Sequence, residues 1–396
     1  MTDLETRAAP SRAGALRRAA PALLGYAAVR ALGLVALALW SAARDKSAYT
    51  LLTARWDALW YTRVAELGYG YEVRLANGDV HSNLAFFPLL PWLERLVTAV
   101  SPLSYADGGF LVGLVASLAA AWGIFAVADH VYGRRAGVCA VLLWAVLPVG
   151  IVQSMAYSES LFTALAAWSL YAVLTGRWVT AGTLALLAGL TRPVGMAVVA
   201  AVWVAGIASF ARERHAGPSP RERDDADRPG PRTRRVLGML LAPLGTAGYV
   251  LWVGHRTGKG PLGYLDVQAG WRNGFDGGYA FARFVAEKFT SFPSALAGAG
   301  LIAGVASVVW LYVVGVRQRQ PLPLLVYTGV VTALALCASS YFGSKPRLLM
   351  PAFPLLLPLA LALVRLRLRR SALVIGLVAV ASAVYGAFWL NGSGPP

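Results

Sequence analysis

Along this chain, apolar residues gather into runs near or above the roughly 20 residues that a helix needs to cross a bilayer, and polar residues fill the short intervals between. The runs lie near 22–43, 110–130, 137–154, 159–175, 179–191, 193–210, 236–254, 291–316, 322–342, 348–364 and 371–390. This pattern predicts an all-α integral membrane protein, a multi-spanning helix bundle of about 11 transmembrane helices. The pair 179–191 and 193–210 is short for two crossings, and Pro193 divides it, so it also reads as one long broken helix. A further run, 85–101, carries Pro88, Pro91, Glu94 and Arg95, which suits a helix lying in the headgroup layer better than one crossing it.

Arginine placement orients the bundle. With the N-terminus inside and 85–101 not crossing, Arg134–Arg135, Arg177, the 211–235 loop, Arg317 with Arg319, and Arg365–Arg370 all fall on the cytoplasmic side, as positive-inside bias requires. If 85–101 crossed, every one of these clusters would move outside. Arg7, Arg12, Arg17 and Arg18 precede the first run without a small-residue cleavage site, so that run reads as an uncleaved first helix. The proline-rich, densely charged 211–235 stretch reads as a disordered cytoplasmic linker, too polar to offset its ordering entropy. Residues 1–396 thus form one transmembrane domain, with outer loops at 44–84 and 255–290 and interfacial helices in the first of them.

Composition sharpens this picture. Hydrophobic residues make up 57% and charged residues 14%, well apart from the roughly 25% charge of soluble domains. The formal charge of +17 sits in short clusters between apolar runs and not on a basic face with interleaved aromatics, which excludes nucleic acid as a partner and leaves the lipid bilayer. Cys139 and Cys337 both lie inside apolar runs, where a thiol behaves as a small hydrophobe. His81, His130, His215 and His255 are scattered, with no HxxxH or HxxE pair to hold a metal on one helical face.

With no soluble domain left over, chemistry on the outside must use the two outer loops and the nearby helix ends. The most informative segment there is Arg55-Trp56-Asp57-Ala58-Leu59-Trp60-Tyr61. At about 100° per residue, Trp56, Trp60, Val64 and Leu67 share one helix face, with Asp57 and Tyr61 along its edge. Glu66 points away from Asp57 and is placed to pair with Arg63, three residues back. A carboxylate held at the lipid boundary suits a general base that takes a proton from a sugar hydroxyl. The plainer alternative is that Asp57 caps a helix or pairs with Arg55.

Arg55-Trp56-Asp57 with Tyr61, Ala65 and Gly68-Tyr69, followed by Asn83-Leu84-Ala85-Phe86-Phe87-Pro88-Leu89 and Pro91, resembles the PIG-V-type mannosyltransferases of the GT-C superfamily. Tyr157-Ser158-Glu159-Ser160-Leu161-Phe162, Thr191-Arg192-Pro193 and Pro346-Arg347 extend the resemblance over most of the membrane region. It implies a GT-C-like bundle, a polyprenyl-phosphate-mannose donor, inverting transfer on the extracytoplasmic face of the cell membrane, and Asp57 as the base. His81-Ser82 stands where members often carry an acidic residue, which leaves open whether a divalent metal takes part. The 255–290 loop, with Tyr264, Gln268 and Trp271-Arg272, is similar to bacterial members, so the acceptor is a glycan, glycolipid or protein and not a GPI precursor. Candidate substrate contacts are Arg55, Trp56, Tyr61, His81, Asn83, Phe87, Glu159, Gln268 and Trp271. Glu159 also fits a structural role, because an acid in a helix's first turn is favoured by the dipole. Phe86, Phe87 and Trp92 read as interfacial anchors or as a groove for a lipid tail.

Arg192, Lys345 and Arg347 depart from the positive-inside pattern, since they sit at outer helix ends. Lys345 and Arg347 flank Pro346 at a helix start, where the dipole disfavours cations, so a donor phosphate is the expected partner of all three. A lipid-linked sugar transporter or flippase would call for two halves with matching interruptions and a polar site near mid-membrane. The chain shows neither, and its polar candidates gather on one side. A non-catalytic GT-C-like membrane protein is the remaining alternative, against which Asp57 stands.

Overall fold

A computed structural model describes residues 12–216, 230–339, 341–392 and 394. The first long apolar run forms α1 (Arg12–Ala42), which leads into a short α2 (Ala48–Thr53) and then α3 (Asp57–Leu67). A two-stranded antiparallel ribbon follows, β1 (Glu72–Arg74) paired with β2 (Val80–Ser82). Next come α4 (Leu89–Val100), α5 (Tyr105–Tyr132) and α6 (Arg134–Ala145). A capping box starts α5, with the Ser104 and Asp107 side chains each satisfying the other's backbone N–H.

The bundle continues through α7 (Ser158–Leu174), α8 (Trp178–Gly189), α9 (Met196–Ala216), α10 (Pro231–Leu241) and α11 (Leu244–Thr257). The 255–290 loop folds into α12 (Gly263–Gly270), β3 (Gly274–Phe275) and α13 (Tyr279–Glu287). The last part comprises α14 (Ser294–Arg317), α15 (Leu322–Cys337), β4 (Ala338–Ser339), α16 (Lys345–Leu349), α17 (Leu357–Arg365) and α18 (Leu368–Leu390), with β4 pairing antiparallel to β3.

Six helical stretches among the described residues are long and apolar enough to cross a membrane, and the bent pair of 342–349 and 353–365, at 76°, makes a seventh. Shorter apolar helices at 158–174, 178–189 and 322–337 complete the bundle. Close packing of small residues explains how short helices hold their places. A Cβ on Gly182 of α8 would meet the backbone of Gly238 on α10, and one on Gly245 of α11 would meet Leu186 of α8, so these backbones touch directly.

Three expectations change. The 348–364 run is not one helix, since α16 ends at Leu349 and a 3₁₀ turn over Phe353–Leu356 precedes α17. The 137–154 run is not one helix: α6 stops at Ala145 and a 3₁₀ turn occupies Gly150–Ser154. The buried Arg30 guanidinium of α1 donates to the carbonyls of Ala145 and Gly150, satisfying backbone groups that the break sets free. The 211–235 linker is narrower than expected, because α9 extends to Ala216 and α10 begins at Pro231. Arg235 and Arg232 pair with Glu213 across the gap at 2.5 and 3.4 Å. Residues 217–229, the rest of that expected linker, lie outside the described residues.

Parity of crossings agrees with an 85–101 segment that does not cross. Asp57 and Glu159 both contact the Arg347 guanidinium, at 2.8 and 3.3 Å, so they lie at the same end of the bundle. The chain between them then crosses an even number of times, a count that α5 with the broken α6 segment would supply without α4. Helix α4 has Trp92, Leu96 and Val100 exposed and Leu90, Pro91 and Glu94 buried, the two-sided pattern expected of a helix lying along the boundary.

Glu94 is fully buried against α5, where Gly108 and Gly109 leave the room it needs, and neither of its oxygens has a hydrogen-bond partner. Burial pushes its carboxyl well above the usual range, which favours the protonated form in the folded protein. Because the unfolded chain ionises above about 4.5, the folded state binds the extra proton and stability declines as pH rises past that value. Glu94→Gln should be more stable than the parent at pH 8, with the gap closing at pH 5. Glu94→Met should gain about 1–3 kcal/mol at pH 8. Thermal unfolding in detergent at the two pH values checks both.

Candidate active site

The 44–84 loop places Asp57 at the first position of α3, where the helix dipole favours a carboxylate. The inward face of α3 is Ala58, Tyr61, Val64 and Ala65, while Leu67 is exposed. Tyr61 is thus central to the buried face, and the face expected from Trp56, Trp60, Val64 and Leu67 is rotated away from the observed one. The expected Arg63–Glu66 pair does not form. Arg63 lies instead over the Tyr71 ring at 4.7 Å and near Trp60 at 6.0 Å, where its cation meets the negative faces of the rings.

Asp57 pairs with Arg347 and not with Arg55: Nη1 of Arg347 donates to its Oδ2 at 2.8 Å. Nε of the same guanidinium lies 3.3 Å from Oε1 of Glu159, and Nη1 of Arg192 lies 2.5 Å from that same oxygen. Arg192 also donates to Ser158 Oγ at 3.1 Å, and Ser158 Oγ shares a 2.7 Å hydrogen bond with Tyr61 Oη. Two carboxylates and two guanidinium groups alternate, so the cluster is neutral. It is graded in exposure: the Asp57 side chain is 25% exposed, Arg192 13%, Arg347 9% and Glu159 1%. Only Asp57 offers an accessible oxygen of any extent, and the two arginines stand behind it.

Each member owes its place to local structure. Glu159 opens α7, held by the favourable end of the dipole. Arg192 is extended, the geometry favoured before a proline, and the break between α8 and α9 turns its side chain into the cluster. Arg347 lies on α16 with its guanidinium 5.2 Å over the Tyr157 ring. Burial raises the Tyr61 phenol above its ordinary value, which keeps it a neutral hydroxyl beside Ser158.

Around this cluster an aromatic wall joins the 44–84 and 255–290 loops. Trp60 stacks on Phe86 with centroids 5.7 Å apart, and its ring meets Trp271 edge-on at 4.9 Å. His81 stacks on Trp271 at 4.1 Å, and the Trp271 indole donates to Ser82 O at 3.0 Å. Gln268 donates to the Tyr264 hydroxyl and accepts from Asn273 at 3.1 Å.

Three residues expected to touch substrate are used inside the protein. Asn83 is fully buried and clamps the first loop, accepting from Gly70 N and donating to Gly68 O, both at 3.0 Å. Phe87 is buried against Tyr249 at 4.3 Å and Tyr264 at 5.6 Å, so it is core and not a groove. Glu159 touches only its arginine partners' charges and is closed to solvent.

Lys345 also departs from expectation. Its ammonium donates to the carbonyls of Ala335, Leu336 and Ala338 at 2.8, 3.2 and 2.9 Å, which uses all three protons on the end of α15. That leaves it nothing to offer a phosphate. Lys345→Met should lower stability by about 2 kcal/mol by stranding those carbonyls, while changing donor KM less than twofold. Thermal unfolding and initial rates on the same preparation test the pair of outcomes.

Sequence reasoning passed over Ser158 and Tyr157 as site residues, although both flank Glu159. The signal was the polar cluster Ser158-Glu159-Ser160 at the mouth of an apolar run, where every polar group needs a partner. Among the described residues, no three His, Cys, Asp or Glu side chains converge as a metal-ligand set.

No family model and no curated protein matches this sequence. Solved structures do match. ArnT from Cupriavidus metallidurans bound to undecaprenyl phosphate superposes over 90% of this chain with a TM-score of 0.54 at 15% identity. Its apo structure matches over 80% with a TM-score of 0.50 at 16% identity. The fold is GT-C-like. The chain spans 62% and 56% of the lengths of those two ArnT chains. A weaker likeness, with a TM-score of 0.49 at 13% identity, reaches the Archaeoglobus fulgidus oligosaccharyltransferase tethered to an acceptor peptide, covering 94% of this chain and 56% of that one. The GT-C-like bundle brings Asp57, Glu159, Arg192 and Arg347 together from four separate stretches of sequence.

Proposed function

We propose that this protein is an inverting glycosyltransferase that moves a hexose from a polyprenyl-phosphate donor to a hydroxyl acceptor on the outer face of the membrane. The observation that carries the reading is the pairing of a partly open carboxylate, Asp57, with a nearly closed arginine, Arg347, that a buried Glu159 shares with Arg192. A base and a cationic anchor for a departing phosphate stand side by side. The bound lipid phosphate in the ArnT structure of similar fold supports a donor of that chemistry. Mannose is the sugar that the PIG-V resemblance favours. The arginine clusters, which lie at the opposite ends of the helices that carry the site, support the outer side.

In the proposed reaction, Asp57 accepts the proton of the acceptor hydroxyl as that oxygen bonds to the anomeric carbon. The bond from that carbon to the phosphate oxygen breaks with its electron pair staying on the phosphate. Direct displacement inverts the configuration and needs one base. The guanidinium groups of Arg347 and Arg192 meet the charge that develops on the leaving phosphate, in a setting where water is largely excluded.

Purified protein in lipid, given radiolabelled polyprenyl-phosphate hexoses and a membrane extract as acceptor, should consume one donor and label a product whose anomeric configuration is opposite to the donor's. Retention of configuration, or consumption of nucleotide sugars in place of the lipid-linked ones, would overturn the proposal.

A further inference from the structure

Four non-glycine residues among those described have a positive φ. Asp45, Arg319 and Arg272 each follow the end of a helix, α1, α14 or α12, where left-handed termination is ordinary. Trp56 is different: it precedes a helix, with φ 51 and ψ −124. That is the geometry of the first corner of a type II′ turn, a region that glycine fills and L side chains rarely adopt. Its side chain makes no capping hydrogen bond either. Glycine, serine or aspartate would begin α3 with less strain, so the indole itself must be what the position requires.

Arg55 gives a second, independent observation. It is half-buried, its guanidinium lies 4.1 Å over the Trp56 ring, and it forms no hydrogen bond or ion pair among the described residues. Five N–H donors beside the reactive carboxylate have no protein partner. Asp57, the next residue, uses Arg347 instead.

We propose that Trp56 and Arg55 form one wall of the subsite for the hexosyl ring of the donor. This rests on the glycosyltransferase reading above. An attacking hydroxyl within hydrogen-bond reach of Asp57, about 3 Å, and about 3 Å from the anomeric carbon keeps the sugar ring within a residue's span of that carboxylate. The half-exposed indole supplies an apolar, electron-rich surface to the ring's C–H groups, whose hydrogens carry partial positive charge. The guanidinium fork supplies paired donors to adjacent hydroxyl oxygens, so it reads their configuration. The strained corner sets this wall at the same end of α3 as the base. Trp56 and Arg55 are specificity-determining contacts to the sugar, separate from the arginines assigned to the phosphate.

The test compares two lipids, polyprenyl-phosphate hexose and the sugar-free polyprenyl phosphate, in binding and turnover by the full chain in lipid nanodiscs. Trp56→Gly, which relieves the backbone strain, should keep its unfolding temperature within a few degrees of the parent while weakening the hexose-bearing donor at least tenfold. Trp56→Phe should recover most of that loss. Arg55→Lys, which keeps the charge and loses the fork, should weaken the same donor about tenfold. All three should bind polyprenyl phosphate within twofold of the parent. Equal weakening of both lipids would mean that these residues serve the phosphate or the tail, and unchanged binding of both would mean that they serve neither; each overturns the proposal. A large fall in unfolding temperature shared by Trp56→Gly and Trp56→Phe, with donor affinity intact, would mark Trp56 as packing alone. A parent protein that binds no polyprenyl-phosphate hexose would instead refute the glycosyltransferase reading itself.

Discussion

Asp57→Asn should lower turnover about a thousandfold or more while donor affinity stays within a few-fold of the parent. The amide keeps the shape of the carboxylate and its oxygen can still accept from Arg347 Nη1, which now lies 2.8 Å from Oδ2. It cannot take a proton from an attacking hydroxyl. The loss should therefore appear in kcat and not in binding, because in the proposed reaction the donor is held by arginines that the substitution leaves in place. Single-turnover measurements with saturating donor separate the two quantities. Asp57→Ala makes a useful contrast: it removes the partner of a nearly buried guanidinium, so it should also disturb Arg347 and reduce stability. Near-normal turnover by Asp57→Asn would remove Asp57 from the role of base and leave Glu159 as the other carboxylate of the cluster, one closed to solvent at 1% exposure.

The membrane architecture was legible because a helix facing lipid must be apolar over its whole length, and no tertiary contact rewrites that requirement. The expected runs accordingly coincide with α1, α5, α7, α14, α15 and α18 to within a turn or two at most ends. The 137–154 run misled because apolarity carries no information on continuity. The break after Ala145 is stabilised by Arg30, which is distant in sequence and sits inside a run that otherwise reads as lipid-facing. Arg192, Lys345 and Arg347 stand out in the sequence as cations away from the other basic clusters, but their partners do not. Arg347 and Arg192 turn to carboxylates, whereas Lys345, two residues from Arg347, turns to backbone carbonyls. Asn83 and Phe87 show the same limit. Motif position brings them near the site, but burial and hydrogen bonding give them to the scaffold. The rotation of α3's buried face from Trp60 to Tyr61 has a chemical cause, since the Ser158 hydroxyl offers Tyr61 a partner that an amphipathic pattern does not record.

Glu159→Gln should be nearly as damaging as the loss of the base, by a different route. Oε1 of Glu159 is the point at which both guanidinium groups meet, 2.5 Å from Arg192 and 3.3 Å from Arg347. Removing its charge leaves two cations against Asp57 alone, at a place where the Glu159 side chain is closed off from water. The penalty for an uncompensated charge in such a place is about 3–5 kcal/mol. Part of it should appear as lower thermal stability, and part as redistribution of the arginines, with Arg347 drawn more firmly onto Asp57 and Arg192 left to Ser158. A guanidinium held more tightly by Asp57 is less available to the phosphate, and it also makes the carboxylate a weaker base. Both effects act on the chemical step, so kcat should fall about a hundredfold. Donor affinity has a compensating term, because the excess positive charge attracts the phosphate dianion or monoanion. The Kd for sugar-free polyprenyl phosphate should therefore tighten or hold while kcat collapses, a split that a simple packing defect would not produce. Neutralising one cation as well, in Glu159→Gln with Arg192→Gln, should restore part of the lost stability without restoring turnover, since the charge balance returns but one phosphate ligand is gone. Parallel losses of stability and lipid phosphate affinity in Glu159→Gln, with no recovery in the double variant, would show that Glu159 merely fills space and does not position the two arginines.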